Sequence, residues 1–139
     1  MKTFLSTAAL LTAALAQNAA IGLPKADQTV QPGDTLTVQV QRPNTITGSQ
    51  EMALAIGFQS CATSGSCFPV DEDMGTILYN GAFAPAYHET YLPPYENFTV
   101  TVPASAPAGK AVIGVAHATL VGASAYPFLE VLNQTVVVA

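Results

Sequence analysis

Apolar and polar side chains alternate with a period of two along this chain, and this pattern most constrains how it can fold. In Thr35–Gln41 the apolar residues occupy every second position, so they share one face of an extended strand. Residues 97–102 repeat the pattern, with apolar side chains inward and Asn97 outward. No window of about 11 or more residues shows a convincing helical period with caps. The sequence therefore predicts strands throughout.

Proline- and glycine-rich turns separate about seven such runs, as is typical of β-sandwich sequences. The predicted strands are Ala19–Leu23, Thr35–Gln41, Glu51–Phe58, Thr76–Tyr79, Asn97–Val102, Lys110–Val121 and Phe128–Val138. Because no helix intervenes, we predict an all-β fold, an immunoglobulin-like antiparallel β-sandwich, with a small closed barrel as the alternative.

Three local features of these strands are also predicted. Met52 should lie on the same face of its strand as the larger apolar residues that follow it. The pair Asn80-Gly81 suits a tight hairpin turn. The alternation of the last strand slips at Asn133-Gln134, which favours a β-bulge there.

The N-terminal segment is interpreted as a secretory signal peptide covering residues 1–16. Lys2 precedes an apolar run that ends in Ala14-Leu15-Ala16, a small-x-small cleavage pattern, and the run is too short to span a membrane. The mature chain is then Gln17–Ala139, a single domain without a membrane span. Its acidic balance, 9 Asp and Glu against 4 Lys and Arg in the full chain, argues against nucleic-acid binding.

Secretion determines how the cysteines and the glycosylation motifs are read. Cys61 and Cys67 are the only cysteines and enclose a short flexible stretch, so an oxidising compartment favours a disulfide between them. Asn97-Phe98-Thr99 and Asn133-Gln134-Thr135 fit the N-glycosylation rule, which predicts glycans on Asn97 and Asn133.

The residues that could carry catalysis are few, and their surroundings favour structural roles. His117 lies in a central apolar strand, where a buried imidazole bonded to the backbone or a hydroxyl is favoured over a catalytic base. The adjacent pair His88-Glu89 is too small a ligand set for a metal, and the acidic triplet Asp71–Asp73 is interpreted as a solvated charge run. The spacing of the remaining glutamates does not favour the carboxylate pair of a glycosidase. We therefore expect no enzyme, no catalytic residue, no metal and no cofactor.

Aromatic residues concentrate in the irregular segment Ala82–Pro94 and at its end. The predicted partner-contact residues are Tyr87, His88, Tyr91 and Tyr95, with Phe83 nearby. Exposed aromatic clusters usually mark contact surfaces. We expect this loop and the loop Cys61–Asp73 to form the contact together.

Several segments, taken in order, carry a family resemblance. They are Gly33, Arg42-Pro43-Asn44, Gln59-Ser60-Cys61, Gly75–Gly81, Tyr87-His88-Glu89, Asn97–Pro103, Ala116-His117, Leu120–Ala123, Pro127–Glu130 and Asn133. In this combination the chain resembles the necrosis-inducing secreted protein family of fungi, from about Ile21 to Val138.

The resemblance implies a secreted effector associated with cell death in plants. It also implies suppression of pattern-triggered immunity through binding and inhibition of plant immune receptor-associated kinases. Because kinases act in the cytoplasm, such a role would require uptake into host cells after secretion. The resemblance supplies no catalytic residue.

Two other classes of function remain open. The same tyrosines could stack on sugar rings in a cell-wall or glycan-binding module, or the protein could be a structural component of the fungal surface. Retention on insoluble polysaccharide distinguishes the first from an effector. We expect a monomer.

Overall fold

A computed structural model describes residues 18–139, which form eight strands. The predicted signal peptide and Gln17 lie outside the described residues. The strands are β1 (Ala20–Leu23), β2 (Gln28–Val30), β3 (Thr35–Gln41), β4 (Ser49–Ser60), β5 (Thr76–Gly81), β6 (Tyr95–Thr101), β7 (Gly109–Val121) and β8 (Tyr126–Val138). No helix within the described range is long and apolar enough to cross a membrane.

The strands form two sheets, one with the order β1-β3-β6 and the other with the order β2-β8-β7-β4-β5. In immunoglobulin domains strands B and E pair in one sheet, and strands C, F and G lie side by side in the other. The same connections occur here, since β3 pairs with β6 and β7 lies between β4 and β8. The predicted all-β sandwich is confirmed. Its pairing is mostly antiparallel, but β2 pairs with β8 in parallel.

The core lies between the sheets and consists of the inward-facing apolar residues of both. Val38 and Val40 on β3 face Ile56 on β4 and Ile113 and Val115 on β7, and all five are fully buried. The predicted strand Thr35–Gln41 is confirmed to the residue. The predicted orientation of residues 97–102 is also confirmed, since their apolar members are buried and Asn97 is exposed.

The structure contradicts several local predictions. A bulge between Glu51 and Ala53 reverses the alternation at the start of β4, so Met52 is exposed and does not share the face of the larger apolar residues that follow it. Asn80-Gly81 does not form a hairpin turn, because both residues extend β5 and pair with β4.

The bulge predicted at Asn133-Gln134 is absent, since β8 pairs with β7 in continuous register. Gln134 instead keeps its inward orientation, and its Nε2 donates a hydrogen bond to the Pro24 carbonyl at 3.0 Å. Because this hydrogen bond pairs the amide group, a polar side chain can occupy a strand position that faces the apolar core.

Strand register separates the loops into two groups at opposite ends of the sandwich. Leu54 pairs with Gly81 near one end of the β4–β5 pair, and Phe58 pairs with Thr76 near the other. The segment 82–94 therefore leaves one end, and the cysteine-containing segment 61–75 leaves the other. The two loops do not adjoin, and their predicted joint contact remains a prediction that requires a partner reaching both ends.

Candidate functional site

Residues 82–94, here called the aromatic loop, are tied to the sandwich by backbone hydrogen bonds. Ala86 and Tyr95 exchange two such bonds, with N···O distances of 3.1 and 3.0 Å. The Arg42 amide donates to the Pro94 carbonyl at 2.7 Å and joins the loop to the end of β3. The long irregular segment predicted from sequence is thereby held in a defined conformation.

Two of the aromatic residues predicted to be exposed are instead part of the packed interior. Phe83 and Tyr95 are only 5% and 6% exposed. Phe83 contacts Phe98, with ring centroids 6.2 Å apart, and it meets the imidazole of His117 edge to face. Phe83 and Tyr95 therefore anchor the loop and do not offer a contact surface.

Tyr95 also organises the polar residues of the loop. Its ring stacks on that of His88, with centroids 4.2 Å apart, and its hydroxyl donates a hydrogen bond to Glu89 Oε1 at 2.9 Å. This hydrogen bond, together with burial and the charge of Glu89, raises the pKa of Tyr95 above its usual value. The second oxygen, Glu89 Oε2, is buried and has no hydrogen-bond partner among residues 18–139.

Tyr87 and Tyr91 remain on the surface, 63% and 81% exposed. The Asn44 amide donates a hydrogen bond to the Tyr87 hydroxyl, which links the aromatic loop to the β3–β4 loop. A shallow pocket of about 370 Å³ is lined by residues 87–90. The aromatic loop thus presents two exposed tyrosines on a fixed base.

A network of buried charged side chains lies below this loop. His117 on β7 is fully buried between two carboxylates, with Nδ1 2.9 Å from Glu130 Oε1 and Nε2 hydrogen-bonded to Glu51. The Asn18 amide donates to the other Glu130 oxygen at 3.0 Å. Because carboxylates accept hydrogen bonds, both ring nitrogens donate, and His117 is held as the imidazolium.

Arg42 extends the network to the chain segments around it. Its Nε donates to Glu51 Oε1 at 2.9 Å, and one Nη donates to Ser49 Oγ at 2.6 Å. Its other Nη donates to the carbonyls of Asn18 and Pro43. The guanidinium therefore joins the N-terminal segment, the β3–β4 loop and β4, a task that needs its several fixed donors.

The pKa values in the network follow from this pairing. Burial alone would lower the pKa of His117, but hydrogen bonds and the charges of Glu130 and Glu51 raise it to about 9. Burial alone would raise the pKa of Glu51, but its hydrogen bonds to His117 and Ser49 and the charges of His117 and Arg42 hold it below its usual value.

The sequence predicted the burial of His117 but not its hydrogen-bond partners. These are carboxylates and not the predicted backbone or hydroxyl groups. Glu51 and Glu130 lie far apart in sequence, and the register of three adjacent strands brings them to one imidazole. The sequence did contain one indication that Glu130 is such a partner. Glu130 alternates in phase with Leu132 and Val136, so it faces the core, and a buried charge needs a partner.

A cleft of about 510 Å³ opens beside this network and is lined by Arg42, Ser49 and Glu51 together with residues of the aromatic loop. The cations and anions along it bind each other, and the imidazole is fully buried. The arrangement fixes the base of the aromatic loop.

The opposite end of the sandwich carries the predicted disulfide, which joins Cys61 to Cys67. Buried Gln59 holds the same loop independently: its Nε2 donates to the carbonyls of Phe68 and Asp73, and its Oε1 accepts from the Phe68 amide at 2.7 Å. Asp71–Asp73 are exposed. Within residues 18–139, no three His, Cys, Asp or Glu side chains are grouped so that they could hold a metal ion.

Both predicted glycosylation sites are exposed on strands. Asn97 lies on β6, opposite Gln39 in the three-stranded sheet, and Asn133 lies on β8, opposite Gly114 in the five-stranded sheet. Asn97 has the opposite parity to buried Phe98 and Val100. Asn133 has the opposite parity to buried Leu132 and Val136. The two side chains therefore point away from the core on opposite faces of the sandwich. Asn97 lies two residues after Tyr95, near the aromatic-loop end of β6, whereas Asn133 lies near the middle of β8.

Comparison with known proteins identifies similar sequences over most of the chain. Residues 14–137 match the sequence model of the Nis1 family. The chain is also 34% identical, over 113 residues, to Necrosis-inducing secreted protein 1 of Colletotrichum higginsianum (strain IMI 349063). That alignment covers 80% of this chain and 72% of the relative.

Proposed function

This chain belongs to the Nis1 family, and we propose that it is a secreted fungal effector that induces host cell death and binds and inhibits plant immune receptor-associated kinases. The name of its relative supports secretion and necrosis induction. The kinase target follows from the family resemblance of the sequence. Inhibition of these kinases would suppress pattern-triggered immunity.

One observation carries the choice of the binding surface: Tyr87 and Tyr91 are exposed on a loop whose base is fixed. Aromatic residues held in place by their surroundings are the usual energetic centres of protein interfaces, because they bury a large area at little cost in conformational entropy. The hydrogen bond from Tyr95 to Glu89 and the stacking of His88 on Tyr95 supply this rigidity.

The buried network supports a binding role over a catalytic one. His117 is held as a cation between two carboxylates, so it has no free nitrogen to accept a proton. Its contribution is to the stability of the loop end of the sandwich. Kinase inhibition would then result from covering a surface of the kinase, without chemical modification.

The proposed route begins with secretion and ends in the host cell, where the kinase domains are located. A disulfide does not persist in a reducing cytosol. The hydrogen bonds of Gln59 would maintain the loop at Phe68 after the Cys61–Cys67 bond is reduced. The fold is therefore compatible with activity in both compartments.

The test is a pull-down of purified protein with plant immune kinase domains, followed by a measurement of kinase activity. We expect binding together with loss of phosphorylation, and we expect Tyr91→Ala to weaken both. Phe68→Ala is the matched control, because Phe68 is also an exposed aromatic residue but lies at the opposite end. It should bind like the wild type.

Two results would contradict the proposal. One is failure of the folded wild-type protein to bind any of these kinase domains. The other is equal weakening by Tyr91→Ala and Phe68→Ala, which would assign no special role to the aromatic loop. Retention of the protein on insoluble chitin or glucan without kinase binding would favour a glycan-binding module instead.

A further inference from the structure

Glu89 occupies an unusual position in the middle of the aromatic loop. One carboxylate oxygen accepts a hydrogen bond from Tyr95, and the other is buried without a donor among residues 18–139. An ionised carboxylate can accept about four hydrogen bonds, and buried polar atoms in folded proteins are nearly always paired. The aromatic loop therefore holds in place a carboxylate, that of Glu89, which accepts fewer hydrogen bonds than it can.

Within residues 18–139, no lysine or arginine forms an ion pair with this carboxylate. Arg42 is committed to Glu51, at 2.9 Å, and to three further acceptors. Lys110 lies at the start of β7, at the opposite end of the sandwich, and Lys25 lies beside β2. The full chain has a formal net charge of −5, so a positively charged group approaching the loop is favoured both locally and at longer range.

The surroundings of Glu89 suit a flat cation. Tyr87 and Tyr91 stand two residues before and after it, and both rings are largely exposed. Tyr87 and Glu89 both line the pocket of about 370 Å³ formed by residues 87–90. A guanidinium can stack on a tyrosine ring and at the same time donate hydrogen bonds in its own plane to a carboxylate.

Because the unpaired oxygen is buried, the carboxylate must turn before a donor of the partner can reach it. The terminal torsion of a glutamate side chain is broad, which permits such a turn. Stacking of His88 on Tyr95 fixes the phenol that holds the other oxygen. Tyr95 thereby limits the positions that the carboxylate can take before the partner arrives, which reduces the entropy lost on binding.

From this arrangement we infer that the aromatic loop is a socket for an arginine side chain of the partner protein, with Glu89 as the counter-ion and Tyr87 in the wall. The inference rests on the proposed function, in which this loop binds another protein. It adds the chemistry that the partner must present: an exposed arginine on a protruding segment.

The first experiment measures the dissociation constant for a kinase domain at two salt concentrations, with wild-type protein and with Glu89→Gln. The amide can still accept the hydrogen bond from Tyr95, so the loop should keep its conformation. Removing the charge should weaken binding by about tenfold or more and should reduce its dependence on salt. Glu72→Gln removes the same charge from the opposite end and should change the dissociation constant less than about twofold.

A second experiment tests the socket without any kinase. A short capped peptide that contains one arginine is titrated into the full mature protein, and the amide resonances of residues 87–91 are followed by NMR. An otherwise identical peptide with citrulline has the same shape but no charge. Shifts that require arginine and disappear in Glu89→Gln support the socket.

The two experiments separate the two proposals. If no kinase domain binds the wild type but the arginine peptide does, the kinase assignment fails and the socket stands. If arginine and citrulline peptides give equal shifts, or if Glu89→Gln binds the kinase with unchanged affinity and salt dependence, the socket is wrong.

Discussion

His117 Nδ1 lies 2.9 Å from Glu130 Oε1 across the β7–β8 pair, where the two residues are direct partners in the strand register. The same imidazole is bonded through Nε2 to Glu51 on the other neighbouring strand. A single buried side chain thus joins three adjacent strands by charge-assisted hydrogen bonds. The stability of the aromatic-loop end should therefore depend on its protonation.

We predict that stability is greatest between about pH 4.5 and 6.5. The pKa of His117 is raised from 6.5 to about 9, so its contribution is complete below pH 6.5 and is lost as the pH rises toward 9. The pKa of Glu51 is lowered from 4.5, so its contribution is present above 4.5 and is lost as the pH falls. The melting temperature, followed from pH 3 to 10, should show this plateau. A melting temperature that stays constant or rises between pH 6.5 and 9 would contradict it.

Loss of the Arg42 guanidinium should destabilise the fold strongly. Arg42→Met keeps much of the aliphatic volume but leaves Glu51 without one of its cations, which should lower the free energy of unfolding by about 3 kcal/mol. Urea denaturation measures the change. The control Lys110→Met, in an exposed side chain, should stay within about 0.5 kcal/mol of the wild type. Similar values for both variants would show that the buried network does not stabilise the fold.

The alternation of side chains was sufficient to predict the sandwich. Strands such as Thr35–Gln41 carry a strict period of two, and one buried face per strand leaves little freedom in the fold class. The structure of short or irregular segments could not be predicted from this alternation. β2 has only three residues, and the bulge that exposes Met52 depends on the pairing of β4 with β7 and not on local sequence.

The site was predicted less completely than the fold, because it depends on strand register. The sequence placed the aromatic residues in one loop but did not distinguish Tyr87 and Tyr91, which are exposed, from Tyr95, which is buried. It also did not bring Glu51 and Glu130 to His117, since that requires the pairing of β7 with both of its neighbours.

The difference between exposed and buried tyrosines leads to a third prediction. Tyr91→Ala should weaken partner binding while it changes the free energy of unfolding by less than about 0.5 kcal/mol. Tyr95→Ala should lower the free energy of unfolding by about 3 kcal/mol, because it removes a buried ring and the donor to Glu89. Thermal denaturation and binding are measured on both. An equally large loss of stability in Tyr91→Ala would show that its ring packs against the domain.

Reduction of the disulfide should leave the protein folded. The Cys61–Cys67 ring spans few residues, so it contributes about 2 kcal/mol or less through the unfolded state, and the Gln59 hydrogen bonds persist without it. The near-UV circular dichroism spectrum in the presence of reductant should retain its folded signal, with a modest fall in melting temperature. Loss of that signal at 25 °C would mean that the disulfide is essential and would argue against activity in a reducing cytosol.

The two predicted glycans should affect partner binding differently, because Asn97 lies two residues after Tyr95 at the aromatic-loop end of β6 and Asn133 lies near the middle of β8. Expression in a eukaryotic secretory host should add two glycans, and Asn97→Gln and Asn133→Gln should each remove one, seen as single steps in mass. Neither substitution should alter the melting temperature by more than a few degrees, since both side chains are exposed. Enzymatic removal of the glycans should leave kinase binding unchanged in Asn97→Gln and should strengthen it in Asn133→Gln, which carries only the glycan beside the aromatic loop. If the glycan at Asn133 blocks binding, the partner must contact the outer face of the five-stranded sheet, and the surface assigned to the aromatic loop would have to include that face.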